Sequence, residues 1–215
     1  MALVAKQFGA KDIFICNTSN IDSMRHGRPQ TVMFETGQAG VDKLHNGAIV
    51  SLVGTQETSA KSKPGNILDH VNGIALIADP AVSLVGKFII VEPEINVEQY
   101  RRIDNSLAAF GDKPLQADAT HTAYELAKYD RIEYSQAYFK ECQEAADENA
   151  METFTRKLIP GNTCNIGTDG QLEIIEGTTG TLRIVSVRPQ RVPLMFNEEH
   201  ERMPESYLMI KLEVK

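Results

Sequence analysis

The last ten residues, SYLMIKLEVK (206–215), constrain the fold more than any other stretch of the chain. Leu208, Ile210, Leu212 and Val214 alternate with Met209, Lys211 and Glu213. A period of two belongs to a strand whose successive side chains leave on opposite faces, so one face needs a core and the other meets water. A slip of one residue would turn the whole apolar set outward, which ties such a terminus firmly into a sheet.

The same signature recurs along the chain. GAIVSLVG (47–54) is an apolar run bracketed by glycines and reads as a buried strand. GIALIADP (73–80) and KFIIVEP (87–93) are strand-like and each closes on a proline. QLEIIE (171–176) and TLRIVSV (181–187) complete the set, with a proline-containing loop over 188–205 before the last strand. Near the start, DIFIC (12–16) and TVMFET (31–36) read as two strands separated by the polar loop NTSNIDSMRHGRPQ (17–30). TQETSAKSKPGN (55–66) is a long polar loop, and PGNTCNIGTDG (160–170) reads as turn.

Two segments change period. Tyr100, Ile103, Leu107 and Phe110 recur at intervals of three and four, with Gly111 as a stop, which predicts a helix over about 97–110. ECQEAADENAMETFTRKL (141–158) places Ala146, Ala150, Met151, Phe154 and Leu158 on one stripe, predicting a second helix over about 141–157. Its acids crowd the first turns and Arg156 and Lys157 the last, as the helix dipole favours. Between these helices, HTAYELAKYDRIEYS (121–135) shows period two on both sides of KYD. It predicts a hairpin burying Tyr124, Leu126, Ile132 and Tyr134, with Glu125, Arg131 and Glu133 on the solvated side.

The expected architecture is therefore mainly β or α+β: several short antiparallel strands, sandwich- or barrel-like, with one or two inserted helices. Residues 1–34 are expected to form an N-terminal strand or arm, and 35–215 a single β-rich domain. No βαβα alternation supports a doubly wound nucleotide-binding sheet, and no repeat of solenoid length is present.

Composition narrows the function classes. A hydrophobic fraction of 42% and a charged fraction of 24% are globular values, and no apolar run reaches the roughly 18 residues a membrane helix needs. The opening MALVAKQFGAKDIF lacks the apolar core of a signal peptide, so cytoplasmic synthesis is expected. A net charge of −7 gives nucleic acid no long-range attraction. Cys16, Cys142 and Cys164 are odd in number and widely spaced, which predicts buried or half-buried thiols rather than disulfides or a zinc site.

No residue set carries a reaction by its spacing. His26, His45, His70, His121 and His200 never fall three to five apart, and EEHE (198–201) lies on extended chain where neighbours diverge, so no metal or cofactor is expected. Ser51 lies inside a strand and Ser135 ends one; no G-x-S-x-G elbow is present. VGKF (85–88) lacks the rest of a phosphate loop. Glu92 with Glu94, or Glu125 with Glu133, are carboxylate pairs with nothing to place them across a substrate. The one catalytic alternative is a small hydrolase-like site around His121, Glu133 and Tyr134.

Chains with many strands and no convergent reactive groups act through surfaces. Candidate partner-binding residues are Ile13, Phe14, Met33 and Phe34 in the N-terminal arm, and Leu194, Met195 and Phe196, an apolar trio in a charged loop. LHNGAIVSLVG (44–54), AYELAKYDRIEYS (123–135), GTLRIVSV (180–187) and SYLMIKLEVK together resemble the structural proteins of tailed-bacteriophage heads, of the capsid-decoration or head-fibre-base kind. Such proteins carry a similar NG-(I/L)-V-x-L strand and an R-A-Y-x-L-x-x-G-D hairpin; here Thr122 stands in place of the basic residue and Tyr129 in place of the glycine. The resemblance implies a non-enzymatic virion component on the capsid surface, made in the host cytoplasm. It would bind the major capsid protein and copies of itself, with no nucleic acid, membrane or cofactor.

Overall fold

The structure, a computed structural model, describes residues 14–25, 29–34, 44–57, 74–79, 87–91, 120–167, 170–191, 195–196, 202–203 and 206–215. It is mainly β, as the patterning predicts. One layer is a six-stranded antiparallel sheet in the order β1-β7-β13-β10-β8-β9. Its strands are β1 (Cys16–Asn20), β7 (Arg131–Ser135), β8 (Thr163–Ile166), β9 (Leu172–Ile175), β10 (Leu182–Arg191) and β13 (Ser206–Val214). The other unit is a closed barrel, β2-β4-β3-β5-β6, from β2 (Gln30–Met33), β3 (Ile49–Glu57), β4 (Ile74–Asp79), β5 (Lys87–Ile90) and β6 (Thr120–Glu125). Its pairs are antiparallel except β2 with β4, which run parallel. Two short strands, β11 (Met195–Phe196) and β12 (Arg202–Met203), pair with each other inside the predicted proline loop.

The predicted hairpin over 121–135 does not form. β6 pairs with β2 and β5 in the barrel, whereas β7 pairs with β1 and β13 in the sheet. Residues 126–130 are thus the crossing from one unit to the other, and period two on both sides of a turn cannot distinguish a crossing from a hairpin. Asp130, buried, fixes this corner. Its carboxylate accepts from Ala127 N at 2.7 Å and from Asp22 N at 2.9 Å, anchoring the short α1 (Asp22–Arg25) against the turn. Tyr129 takes a left-handed φ of 74° where the resembled pattern has glycine, so the turn keeps positive φ without that residue.

Two segments read as loop are strands. NTSN lies in β1, and TCNI in the PGNTCNIGTDG stretch is β8, bonded to both β9 and β10. Polar residues with little alternation gave no strand signal; partners supplied it. β10 runs on through Pro189. That position bonds only to β13 at Leu208, since β8 pairs with β10 only at Leu182 and Arg183, so the missing N–H is tolerated.

The expected helix over about 141–157 is two. α2 (Lys140–Glu144) ends at Ala145 in an extended conformation, and α3 (Glu148–Lys157) restarts on Asp147, whose carboxylate accepts from Ala150 N at 2.8 Å. An aspartate inside an acidic run is a better N-cap than an interior residue, which is why the break falls there. Met151, Phe154 and Leu158 are buried as the stripe requires, while Ala146 is exposed. The helix predicted over about 97–110 lies outside the described residues.

Alternation divides the apolar side chains between two cores. Leu208, Ile210, Leu212 and Val214 of β13 join Ile132, Tyr134, Leu182 and Ile184 on the inner sheet face, under Phe139, Cys142, Met151 and Phe154. Val32, Phe34, Leu44, Ala48, Val50, Ile90 and Ala123 fill the barrel core. Ile49 and Ile89 belong to the sheet core, although their neighbours Val50 and Ile90 point into the barrel. At Ile49–Val50 and Ile89–Ile90, β3 and β5 are therefore apolar on both faces because each face meets a different core.

Candidate functional site

Two places concentrate polar interactions. The first is the joint at Asn46 and Gly47, just before β3. Tyr134 Oη donates to Gly47 O at 2.7 Å and Tyr138 Oη donates to Asn46 O. Gly47 N donates to Ile90 O at 2.8 Å, so the turn is clamped from the sheet side and the barrel side at once. Gly47 has φ +92°, and a Cβ there would overlap Cys16 Cβ and Sγ. Only glycine fits on both counts. Burial holds the Tyr134 hydroxyl well above the usual tyrosine pKa, with Cys16 and Tyr138 adding to the rise, so it stays a neutral hydrogen-bond donor.

The second place is the outer face of the sheet. Glu213 is buried between Arg131, whose Nε lies 2.9 Å away, and Arg183. Beside it Glu133 accepts from Arg188 at 3.2 Å, with Lys211 Nζ at 3.3 Å and Asn17 Nδ2 at 3.4 Å. Strand register makes the row: Lys211 lies opposite both Glu133 and Ser186, and Glu213 opposite both Arg131 and Arg183. A bulge between Ile184 and Ser186 shifts β10 by one residue and brings Arg188 to the same face. The hydrogen bond from Arg131 holds Glu213 below the usual carboxylate pKa, burial opposing it and Arg183 reinforcing it. Burial pushes Glu133 up, but hydrogen bonds from Arg188 and Lys211 outweigh this and leave it low. The three arginine side chains are 51–52% exposed while the carboxylates beneath them are 5% and 12% exposed. The layer that meets solvent here is cationic.

The residues singled out from sequence are dispersed. His121 lies on β6, buried in the barrel beside Phe34, with ring centroids 5.7 Å apart. Glu133 is on the outer sheet face and Tyr134 on the inner one, so the hydrolase-like trio is not assembled. Among the described residues, no three His, Cys, Asp or Glu side chains group as metal ligands. Cys16 is half-buried and Cys142 and Cys164 buried, all as thiols rather than disulfides, with burial and the Glu141 carboxylate pushing Cys164 up to about 12. Ser135 Oγ accepts from Ile15 N at 3.0 Å. Ser51 is buried in β3 opposite Lys87, whose ammonium pKa is lowered by burial.

Of the candidate contact residues, Phe34 is fully buried in the barrel core and presents no surface. Phe14 is half-buried, stacked on His45 with centroids 3.5 Å apart, and Met33 is half-buried at the end of β2. Met195 and Phe196 form β11, paired to Met203 and Arg202. Ile13 and Leu194 lie outside the described residues, as do His26, His70, His200, Glu92 and Glu94.

The ionic row of the outer face was only half legible. Lys211 and Glu213 alternate with the apolar residues of β13, which marks a polar face. Arg183 and Arg188 join it only through register and a bulge that local sequence does not announce. No helix among the described residues is long and apolar enough to cross a membrane. No protein-family model, curated protein or solved structure matches this chain.

Proposed function

We propose that the protein is a non-enzymatic structural component of a tailed-phage virion. It binds the major capsid protein on the head as a decoration or fibre-anchoring subunit. One observation carries the reading: two of the four segments that resemble phage head proteins, 44–54 and 123–135, meet at the joint between barrel and sheet, and the other two pair with each other as β10 and β13. Tyr134 holds Gly47, Tyr138 just beyond the second segment holds Asn46, Leu126 and Ile49 belong to the same sheet core, and Asp130 closes the crossing. Similar residues of the first two segments are thus ones that tie the two units together, which favours a shared scaffold over chance agreement of common strand residues.

The surfaces are also of the right kind. β1 is one edge of the sheet, and edge strands accept a partner's strand by backbone pairing. The opposite edge, β9, is partly covered: Phe139 bridges Leu172, and Glu141 accepts from Ile174 N at 3.0 Å.

The test is mass spectrometry and cryo-EM of purified virions from the phage or prophage that encodes the chain. The expected result is a copy number comparable to the capsid lattice, with density for the protein on the head surface. Absence from particles would overturn the proposal, and localisation only to the tail would overturn the capsid contact.

A further inference from the structure

The chain carries a net charge of −7, yet the outer sheet face exposes Arg131, Arg183 and Arg188, with Lys211 behind them. Among the described residues of this row, four cations stand against two carboxylates, Glu133 and Glu213, and those carboxylates are the buried members. Buried, salt-bridged acids hold the guanidinium groups in register without neutralising their outward side. Such a face is pre-organised for an acidic surface, since little side-chain freedom remains to be lost on binding.

An acidic surface of matching scale exists on the same chain. Around the break between α2 and α3, Glu144, Asp147 and Glu148 are all exposed. The neighbouring cations are engaged elsewhere: Lys140 pairs with Glu173 at 2.8 Å and Arg156 with Glu152 at 2.6 Å. This corner lies on the opposite side of the sheet from the arginines, because Cys142, Met151 and Phe154 of its helices pack on the inner face. A single chain cannot bring the two surfaces together, but a second copy can.

We infer that copies of this chain associate head to tail, the Glu144–Asp147–Glu148 corner of one docking on the Arg131–Arg183–Arg188 face of the next. Because the two surfaces lie on opposite sides of the sheet, a pair joined by one such contact faces its other two surfaces away from each other and leaves one of each unused. Growth therefore continues past a dimer into a ring or an open row. The occupant of the arginine face is thus a second copy, and the inference stands whether or not the virion reading does.

Sedimentation velocity on the full chain tests it. In about 0.01 M salt, where the Debye length is about 30 Å, assemblies larger than a monomer are expected; in 1 M salt, where it is about 3 Å, monomers. The double variant Glu144→Lys, Glu148→Lys touches none of the paired charges and should be monomeric in both. Its arginine face remains intact, so adding it to the native chain should cap growing rows and lower their mean mass. Arg188→Glu should also give monomers, and a circular dichroism melt verifies that each variant is folded. A native chain that stays monomeric at low salt overturns the inference. So does a folded Glu144→Lys, Glu148→Lys variant that assembles like the native chain or fails to cap it.

Discussion

The barrel and the six-stranded sheet solve the same problem, satisfying strand backbones and burying apolar faces, in opposite ways. The barrel closes on itself through β2 and β6 and so has no edge; among the described residues, seven buried ones lie in its core. The sheet stays open, with β1 at one edge, a core capped by two helices on one face and a row of ion pairs on the other. A closed unit spends its hydrogen bonds inwardly, whereas an open one keeps edges and a face for others. On this contrast the sheet is where binding should be sought, and the barrel is support.

The largest expected effect tests whether the helices are the inner cover of the sheet. Phe154 is fully buried against Phe139, with centroids 5.7 Å apart. Phe154→Ala should lower unfolding stability by ~3–5 kcal/mol in a denaturant titration. A loss below ~1 kcal/mol would mean that α3 is not part of that core. Next comes the joint. Gly47→Ala brings both a left-handed φ and an overlap with Cys16, and should cost about 1–3 kcal/mol by the same measurement. A neutral outcome would uncouple the two units.

Acid should separate the two faces of the sheet. Glu133 and Glu213 have folded-state pKa values below their ordinary ones, so their contribution is complete above the unfolded value of about 4.3. It is lost as pH falls through the lower folded values. The melting temperature should therefore drop as pH is taken below about 4, and the drop should shrink in Glu213→Gln. An identical pH profile in that variant would show that the ionic row adds nothing to stability. The smallest effect is at the crossing. Tyr129 is 67% exposed at φ 74°, and Tyr129→Gly relieves left-handed strain of about 1–2 kcal/mol against the extra chain entropy of glycine. A net gain of up to ~1 kcal/mol is expected; destabilisation would show that the Tyr129 ring has a packing role.

How much of this was legible follows the range of the interaction. β13 and its buried face could be read from alternation alone, because that strand is central and its neighbours demand the pattern. The break before Asp147 was not legible, because the apolar stripe of the expected helix spans it and the cap shows only in the structure. The divergence of β6 and β7 was illegible, since each strand alternates properly and only distant partners, β2 and β5 against β1 and β13, decide which unit each joins. For the same reason the trio His121, Glu133 and Tyr134, close in sequence, is scattered to a barrel interior and two opposite sheet faces.

The sharing of β3 and β5 between the cores governs how the molecule comes apart. Ile49 and Ile89 face the sheet while Val50 and Ile90 face the barrel, so the barrel cannot melt without stripping apolar cover from the sheet. Local opening is thereby confined to regions away from these strands. Barrel and sheet should lose amide protection in one cooperative step, with Ile89 and Ile210 exchanging at the same slow, global rate.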